Sequence, residues 1–385
     1  MALITLDFGQ SYTPRHHEMA LRQGRQPCEA PDLGRNDLGA ARFARSAPVR
    51  DPRPVCDLLD PVRRITLPSD RSRCRARGVL MQPSRVFIVG SGVVGTATGT
   101  GLLAAGNTVT FIDISVPRVR HLQAQGLDAR TELDLSSEPD SFIFLTLPTP
   151  NVGWRYDLGA FTAGTAAVGR ALAGSSAQHT VVVRSTVSPG TTEGLVRPVL
   201  EENSGMTAGE GFRLASNPEF LRAVSAAEDF SHPWMTVIAS RDPQAVARLR
   251  GLLEPFGGEM RTFSDPAEAE FIKCAHNIFN ATKISFWNEM WLIAQKIGLD
   301  LDPIAATVAK SAEGSINPQY GIRGGAPYGG VCLPKDTCGF LGYSDAIGVD
   351  MPLLQAVVET NNRLESVVKQ EVEAAGKAAS GIPTA

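Results

Sequence analysis

Lysine is missing from the first 272 residues; Lys273 is the first in the chain. Also missing is any apolar run approaching the ~20 residues a membrane span requires, which excludes a transmembrane function. Cysteine is sparse, six in 385 residues with no short-spaced even framework, and no signal-peptide pattern follows Met1. A reduced, cytoplasmic protein is expected, in which a special cysteine is reactive and not a structural bridge. Neither sign of charge prevails: 37 Lys+Arg against 40 Asp+Glu leave a formal charge of -3. Nucleic acid and membrane surfaces are therefore disfavoured as partners. What remains is a globular composition long enough for two or three domains.

The balanced total hides two unlike parts. Residues 1–80 hold 14 Arg, no Lys and 9 Asp+Glu, whereas residues 81–385 hold 23 basic against 31 acidic side chains. The leading part is punctuated by Pro, Gly and Arg and has neither a 3.6 nor a 2.0 apolar period, so 1–80 is expected to be a disordered extension. Met81 directly precedes an orderly strand, which suggests a passenger extension upstream of the true start.

From Arg85 the texture changes. Arg85–Val89 is a short β-branched run, followed by Gly90-Ser91-Gly92-Val93-Val94-Gly95, a small-residue helical stretch to Ala105, and a strand from Thr108 to Ile112 that ends in Asp113. Strand, glycine turn, helix, strand and acid form a dinucleotide-binding unit. Gly90 permits the turn, Gly92 lets backbone approach a pyrophosphate, and Gly95 lets the helix pack on the strand. Asp113, 23 residues after Gly90, is placed to accept from a ribose, which favours NAD over NADP. Arg118 is a candidate to stack on the adenine or accept a phosphate. Strands at Ser141–Leu145, Thr180–Val183 and near Met235–Ala239 alternate with helices, as a parallel sheet requires. Ligands bind at carboxyl ends of such strands, which brings in Pro148, Thr149, Ser185 and Thr186.

Ala267 through Lys296 contains no Gly or Pro and reads as one long helix joining two domains and packing against a partner chain. Lys273 and Asn277, four residues apart, share a face of it. Further on, Gly329-Gly330-Val331-Cys332-Leu333-Pro334-Lys335-Asp336 suits a nucleophilic cysteine. Pro334 should hold Leu333 extended, Asp336-Thr337 should open a helix, and Cys332 should lie just before its N-terminus with Lys335 nearby.

These motifs, with Asn217-Pro218-Glu219-Phe220-Leu221 and Glu228-Asp229-Phe230, occur in an order that resembles the UDP-glucose/GDP-mannose 6-dehydrogenase family over residues 84–365. The resemblance implies an α/β fold: a Rossmann-type doubly wound sheet over 81–265, then the long linker helix and a small helical dimerisation domain over 266–385. It implies NAD as cofactor and a four-electron oxidation of a nucleotide-sugar C6 alcohol to a carboxylate; no metal is expected, and the long helix makes a homodimer the expectation. By similarity Cys332 bonds the intermediate aldehyde, Lys273 and Asn277 hold the oxyanion, and Thr186 and Asp336 position a water and handle the alcohol proton. Glu219 serves thioester hydrolysis. The same likeness places Phe220, Leu221, Arg222, Tyr328, Gly329 and Gly330 against substrate and Lys335 against cofactor. Relatives usually continue into a second nucleotide-binding domain, which this chain is expected to lack, and often have Lys-Ser-Thr where Arg184-Ser185-Thr186 stands. Two other readings stay open: an inactive NAD-binding relative, and a two-electron 3-hydroxyacid dehydrogenase, which needs no thiol.

Overall fold

Short β-branched and aromatic runs separated by glycine turns build a sheet whose two faces are covered by helices. The computed structural model describes residues 83–153, 155–312, 317, 320–321, 324–330 and 332–380. The stretch expected to be disordered, 1–80, lies outside the described residues.

The described chain forms two units, 83–280 and 281–380. In the first, strands and helices follow one another as β1 (Arg85–Val89), α1 (Val93–Ala104), β2 (Thr108–Ile112), α2 (Val116–Ala124), β3 (Ala129–Arg130) and β4 (Ser141–Leu145). A small hairpin follows, β5 (Asn151–Val152) with β6 (Arg155–Tyr156), and then α3 (Gly159–Ala173) and β7 (Thr180–Val183). A π-helical turn at Thr192–Val196 leads into α4 (Arg197–Ser204), followed by β8 (Arg213–Ser216), α5 (Ala226–Ser231), β9 (Met235–Ala239), α6 (Pro243–Leu253) and β10 (Glu259–Phe263). The long helix α7 (Pro266–Ile297) runs on into the second unit, which holds α8 (Leu301–Ser311), α9 (Cys332–Ala346) and α10 (Pro352–Ser380).

The eight-stranded sheet has the order β10-β9-β8-β7-β4-β1-β2-β3. Its first six strands in sequence are parallel, and the chain reverses its direction of travel across the sheet between β1 and β4, the place where a doubly wound sheet opens a crevice. The sheet is not wholly parallel, however: β8 pairs β9 antiparallel, through Ser216 and Ala239. Side-chain alternation splits the core in two. Val86, Ile88, Phe111 and Phe144 face one layer with Leu102, Leu122 and Leu249, while Phe87, Val89, Ile143 and Leu145 face the other with Phe161, Leu172 and Leu200.

Two local expectations for the cysteine motif are corrected. Cys332 is the first residue of α9 and not a residue ahead of it, and Leu333 is helical and not extended. Pro334 falls in the first turn, where a missing N–H costs nothing because that donor has no intrahelical acceptor.

Candidate active site

The glycine turn explains itself sterically. Gly90 has φ +93°, and a Cβ there would lie 2.7 Å from the Thr146 carbonyl oxygen; one at Gly95 would lie 2.1 Å from the Gly90 carbonyl oxygen. Nothing lies within 4 Å of a Cβ at Gly92, which is the open side of the turn. Gly92 caps α1 with no side-chain hydrogen bond, so the amides of its first turn, which includes Val93 and Val94, face no capping side chain. Asp113 ends β2 and accepts from Ser91 N and Ser115 N, both at 2.9 Å. Arg118 is tied to the turn itself, donating from Nε to Ser91 O (2.7 Å) and from Nη2 to Thr96 Oγ1 (2.6 Å). A tight glycine turn, an uncapped helix N-terminus and a carboxylate at the end of the next strand fit a dinucleotide.

The loops after β4 and β7 are laced together beside this turn. Thr149 Oγ1 donates to Thr186 O (2.7 Å) and Ser185 Oγ to Leu147 O (2.7 Å), with Pro148 between the two linked positions. The antiparallel step from β8 to β9 keeps Asn217–Pro233 at the same edge. Within that segment Glu219 meets Lys273 of α7 in an ion pair of 3.0 Å, with side chains 11% and 6% exposed. The second Glu219 oxygen accepts from Leu221 N at 2.6 Å. Lys273 also stands 5.4 Å from the centre of the Phe220 ring, which meets Trp234 and His276 edge-on. Asn277, one turn beyond Lys273, is exposed. Arg222 is taken up by Asp229, at 2.6 Å between Nη2 and Oδ1, and this partner holds the Asp229 carboxyl well below the usual carboxylate range.

Three residues of this unit, buried Arg184 and Glu270 and half-buried Cys274, were given no site role by the sequence. Arg184, 5% exposed, donates to Thr98 Oγ1 at 2.9 Å and to Asn217 Oδ1, and burial pulls its guanidinium down to about 10. Together with Asn217, Glu219, Phe220 and Trp234 it lines a cleft of about 430 Å³, open mouth included. Glu270 accepts from Gly190 N, Thr192 N and Thr192 Oγ1 at 2.5–2.7 Å. Cys274 donates from Sγ to Val187 O at 3.4 Å, and burial pushes its thiol up. Their signal was position: Glu270 and Cys274 flank Lys273 on the face of α7 that meets the loop after β7.

In the second unit Cys332 is exposed at the start of α9. Lys335 and Asp336 pair with each other at 2.6 Å, and that bond holds the ammonium above its usual range. Tyr328 is half-buried, and Gly329 and Gly330 are exposed.

Comparison with known proteins agrees with both units. The model of the NAD binding domain of the UDP-glucose/GDP-mannose dehydrogenase family matches residues 122–257, and that of the family's central domain matches 267–363. A ketopantoate reductase PanE/ApbA model matches 86–142, across the glycine turn. UDP-glucose 6-dehydrogenase AglM of Haloferax volcanii is 31% identical over 318 residues, covering 75% of this chain and 73% of that protein. The chain belongs to the UDP-glucose/GDP-mannose dehydrogenase family. GDP-mannose 6-dehydrogenase of Pseudomonas syringae pv. tomato is 32% identical over 298 residues, 72% of this chain and 68% of that one. Among solved structures, a ternary complex of GDP-mannose dehydrogenase from Pseudomonas aeruginosa has a TM-score of 0.70 at 29% identity, covering 78% of this chain and 72% of that one. A UDP-glucose dehydrogenase from Pyrobaculum islandicum has a TM-score of 0.56 at 32% identity, covering 74% and 69%. The cofactor of the first unit is NAD, and the expected α/β fold with a helical C-terminal region is the one observed. Among the described residues no helix is long and apolar enough to cross a membrane.

Proposed function

We propose that this protein oxidises the C6 hydroxyl of a nucleotide sugar to the carboxylate, with NAD, through a covalent bond to Cys332. The observation that carries the reading is the exposed Cys332 thiol at the first position of α9, inside the match to the family's central domain. NAD, when bound, would supply the oxidant, and two NAD molecules in succession would each accept one hydride per turnover.

In the first half, Thr186 and Asp336 position a water and take the alcohol proton while the first hydride leaves the C6 carbon, which gives an aldehyde. The Cys332 thiolate then adds to the aldehyde carbon, and the carbonyl oxygen becomes an alkoxide. Lys273 and Asn277 project from one face of α7 to hold that oxyanion; one such donor is typically worth ~10²–10³ in rate. The Glu219–Lys273 pair of 3.0 Å, both side chains nearly buried, holds the ammonium in place on this face of α7. Loss of the second hydride leaves a thioester, and water activated by Glu219 replaces sulfur, returning the thiol and releasing the uronate. Phe220, Leu221, Arg222, Tyr328, Gly329 and Gly330 would hold the sugar nucleotide. The glycine turn, Asp113, Arg118, Pro148, Thr149, Ser185 and Lys335 would hold NAD. The assembly is a homodimer and its compartment the cytoplasm.

The test is to incubate the full chain with NAD and a panel of UDP-, GDP- and dTDP-sugars, counting NADH per sugar consumed. Two NADH are expected; one indicates a two-electron dehydrogenase, and none an inactive NAD-binding relative. Cys332→Ser should stop after the aldehyde, and full turnover by that variant removes the thioester from the mechanism.

A further inference from the structure

The loop that leads into α9 is fastened by a side chain from α10. Asn361 accepts from Tyr328 N at Oδ1 (2.7 Å) and donates from Nδ2 to Tyr328 O (3.2 Å). One carboxamide thus satisfies both peptide groups of a single residue, as a neighbouring strand would. The chain around this point is unusually free. Gly324, Gly325, Gly329 and Gly330 are four of the seven residues from 324 to 330, and Gly325 and Gly330 hold φ of +89° and +84°. Nothing lies within 4 Å of a Cβ at Gly324, Gly325 or Gly330, so packing does not hold the loop at those positions. Tyr328 is half-buried where Gly329 and Gly330 are exposed, and Cys332 follows four residues after it.

The geometry points to Asn361 as a positioning residue for Cys332: by pairing with both peptide groups of Tyr328, it sets where the glycine loop delivers the thiol to the first turn of α9. This rests on the reading of Cys332 as the nucleophile. Bond formation to a carbonyl carbon needs the reacting atoms about 3–3.5 Å apart and aligned, and a misplacement of about 1 Å can cost ~100-fold. Glycine-rich backbone gives up the most entropy on ordering, so a loop of this composition stays in register only if something outside it supplies the bonds. Asn361 supplies two. It acts through the Tyr328 backbone, so its loss should disturb thiol chemistry and leave cofactor binding alone.

The test compares Asn361→Ala, which removes both bonds, with Asn361→Asp, which keeps the acceptor for Tyr328 N–H but sets a carboxylate oxygen against Tyr328 O. Asn362→Ala, an exposed neighbour, is the control. Iodoacetamide labelling of the full chain is followed at each cysteine by mass spectrometry, with Cys274 and Cys338 as internal references, and amide exchange is read across residues 327–332, α9 and α10. Both Asn361 variants should change the Cys332 labelling rate about threefold or more and speed exchange over 327–332 about tenfold, with the reference thiols and the two helices unchanged. With an active sugar, kcat should fall about 10–100-fold at constant KM for NAD. Unchanged Cys332 labelling in Asn361→Ala overturns the inference, and so does faster exchange spread evenly over α9 and α10, which marks a general structural role. If the wild-type chain oxidises no sugar and labelling still responds as expected, the proposed function fails and the positioning role stands.

Discussion

Glu270 is a carboxylate 3% exposed whose three hydrogen-bond donors, from Gly190 and Thr192, would favour its charge, yet burial outweighs them and pushes its carboxyl up. The native state therefore holds this proton more tightly than the unfolded chain does. The stability it contributes is fully present below the ordinary carboxylate pKa and is lost as pH rises through the raised native value. Glu270→Gln removes the titration and keeps the shape. The melting temperature of wild type relative to this variant should accordingly rise as pH falls from about 7.5 to about 5; a flat difference across that range defeats the assignment. Glu270 was within reach of the sequence, one turn before Lys273 on a helix free of glycine and proline. What sequence cannot convey is that the segment opposite, Gly190 and the start of the π-helical turn at Thr192, aims three donors at it. Arg184 has the same history: it stood out as an arginine at a position where relatives often have lysine, but its burial against Thr98 and Asn217 depends on which strands lie side by side.

At the scale of elements, legibility followed length and punctuation. The 32-residue α7 was readable from the absence of Gly and Pro over Ala267–Lys296, and β1 and β2 from their β-branched runs. The four-residue β8 was not, because a short apolar run carries no direction; only the return through Asn217–Pro233 makes its pairing with β9 antiparallel. The start of α9 was misplaced because proline usually ends a helix, whereas in a first turn it fits. Helix α7 also leaves Phe271, Ile278, Phe279, Ile284 and Trp291 at 50–68% exposure. Exposed apolar side chains of this extent are what the proposed homodimer would cover. Light scattering should give a dimer mass, and the double variant Phe279→Glu/Ile284→Glu should give a monomer with unchanged far-ultraviolet circular dichroism. A wild-type monomer refutes the dimer.

For the whole molecule, the division of labour between the units matters more than any single contact. Of the residues proposed to hold NAD, all but Lys335 belong to 83–280, and Cys332 belongs to 281–380. Cofactor binding and thiol chemistry should then be separable by substitution. A ligand that binds only the native state stabilises it by about 2.7 kcal/mol at a hundredfold excess over Kd. For a unit of 150–250 residues that corresponds to an upward shift of roughly 5–10 °C in Tm. Saturating NAD should therefore raise the melting of wild type and of Cys332→Ser by the same amount, measured by calorimetry without any sugar present. Asp113→Ala loses the proposed ribose acceptor and the bonds to Ser91 and Ser115, so the shift at the same NAD concentration should shrink by half or more. If Cys332→Ser abolishes the shift, the cradle is not self-contained and the thiol contributes to holding the cofactor. If Asp113→Ala leaves it intact, the acid at the end of β2 is not where the ribose binds.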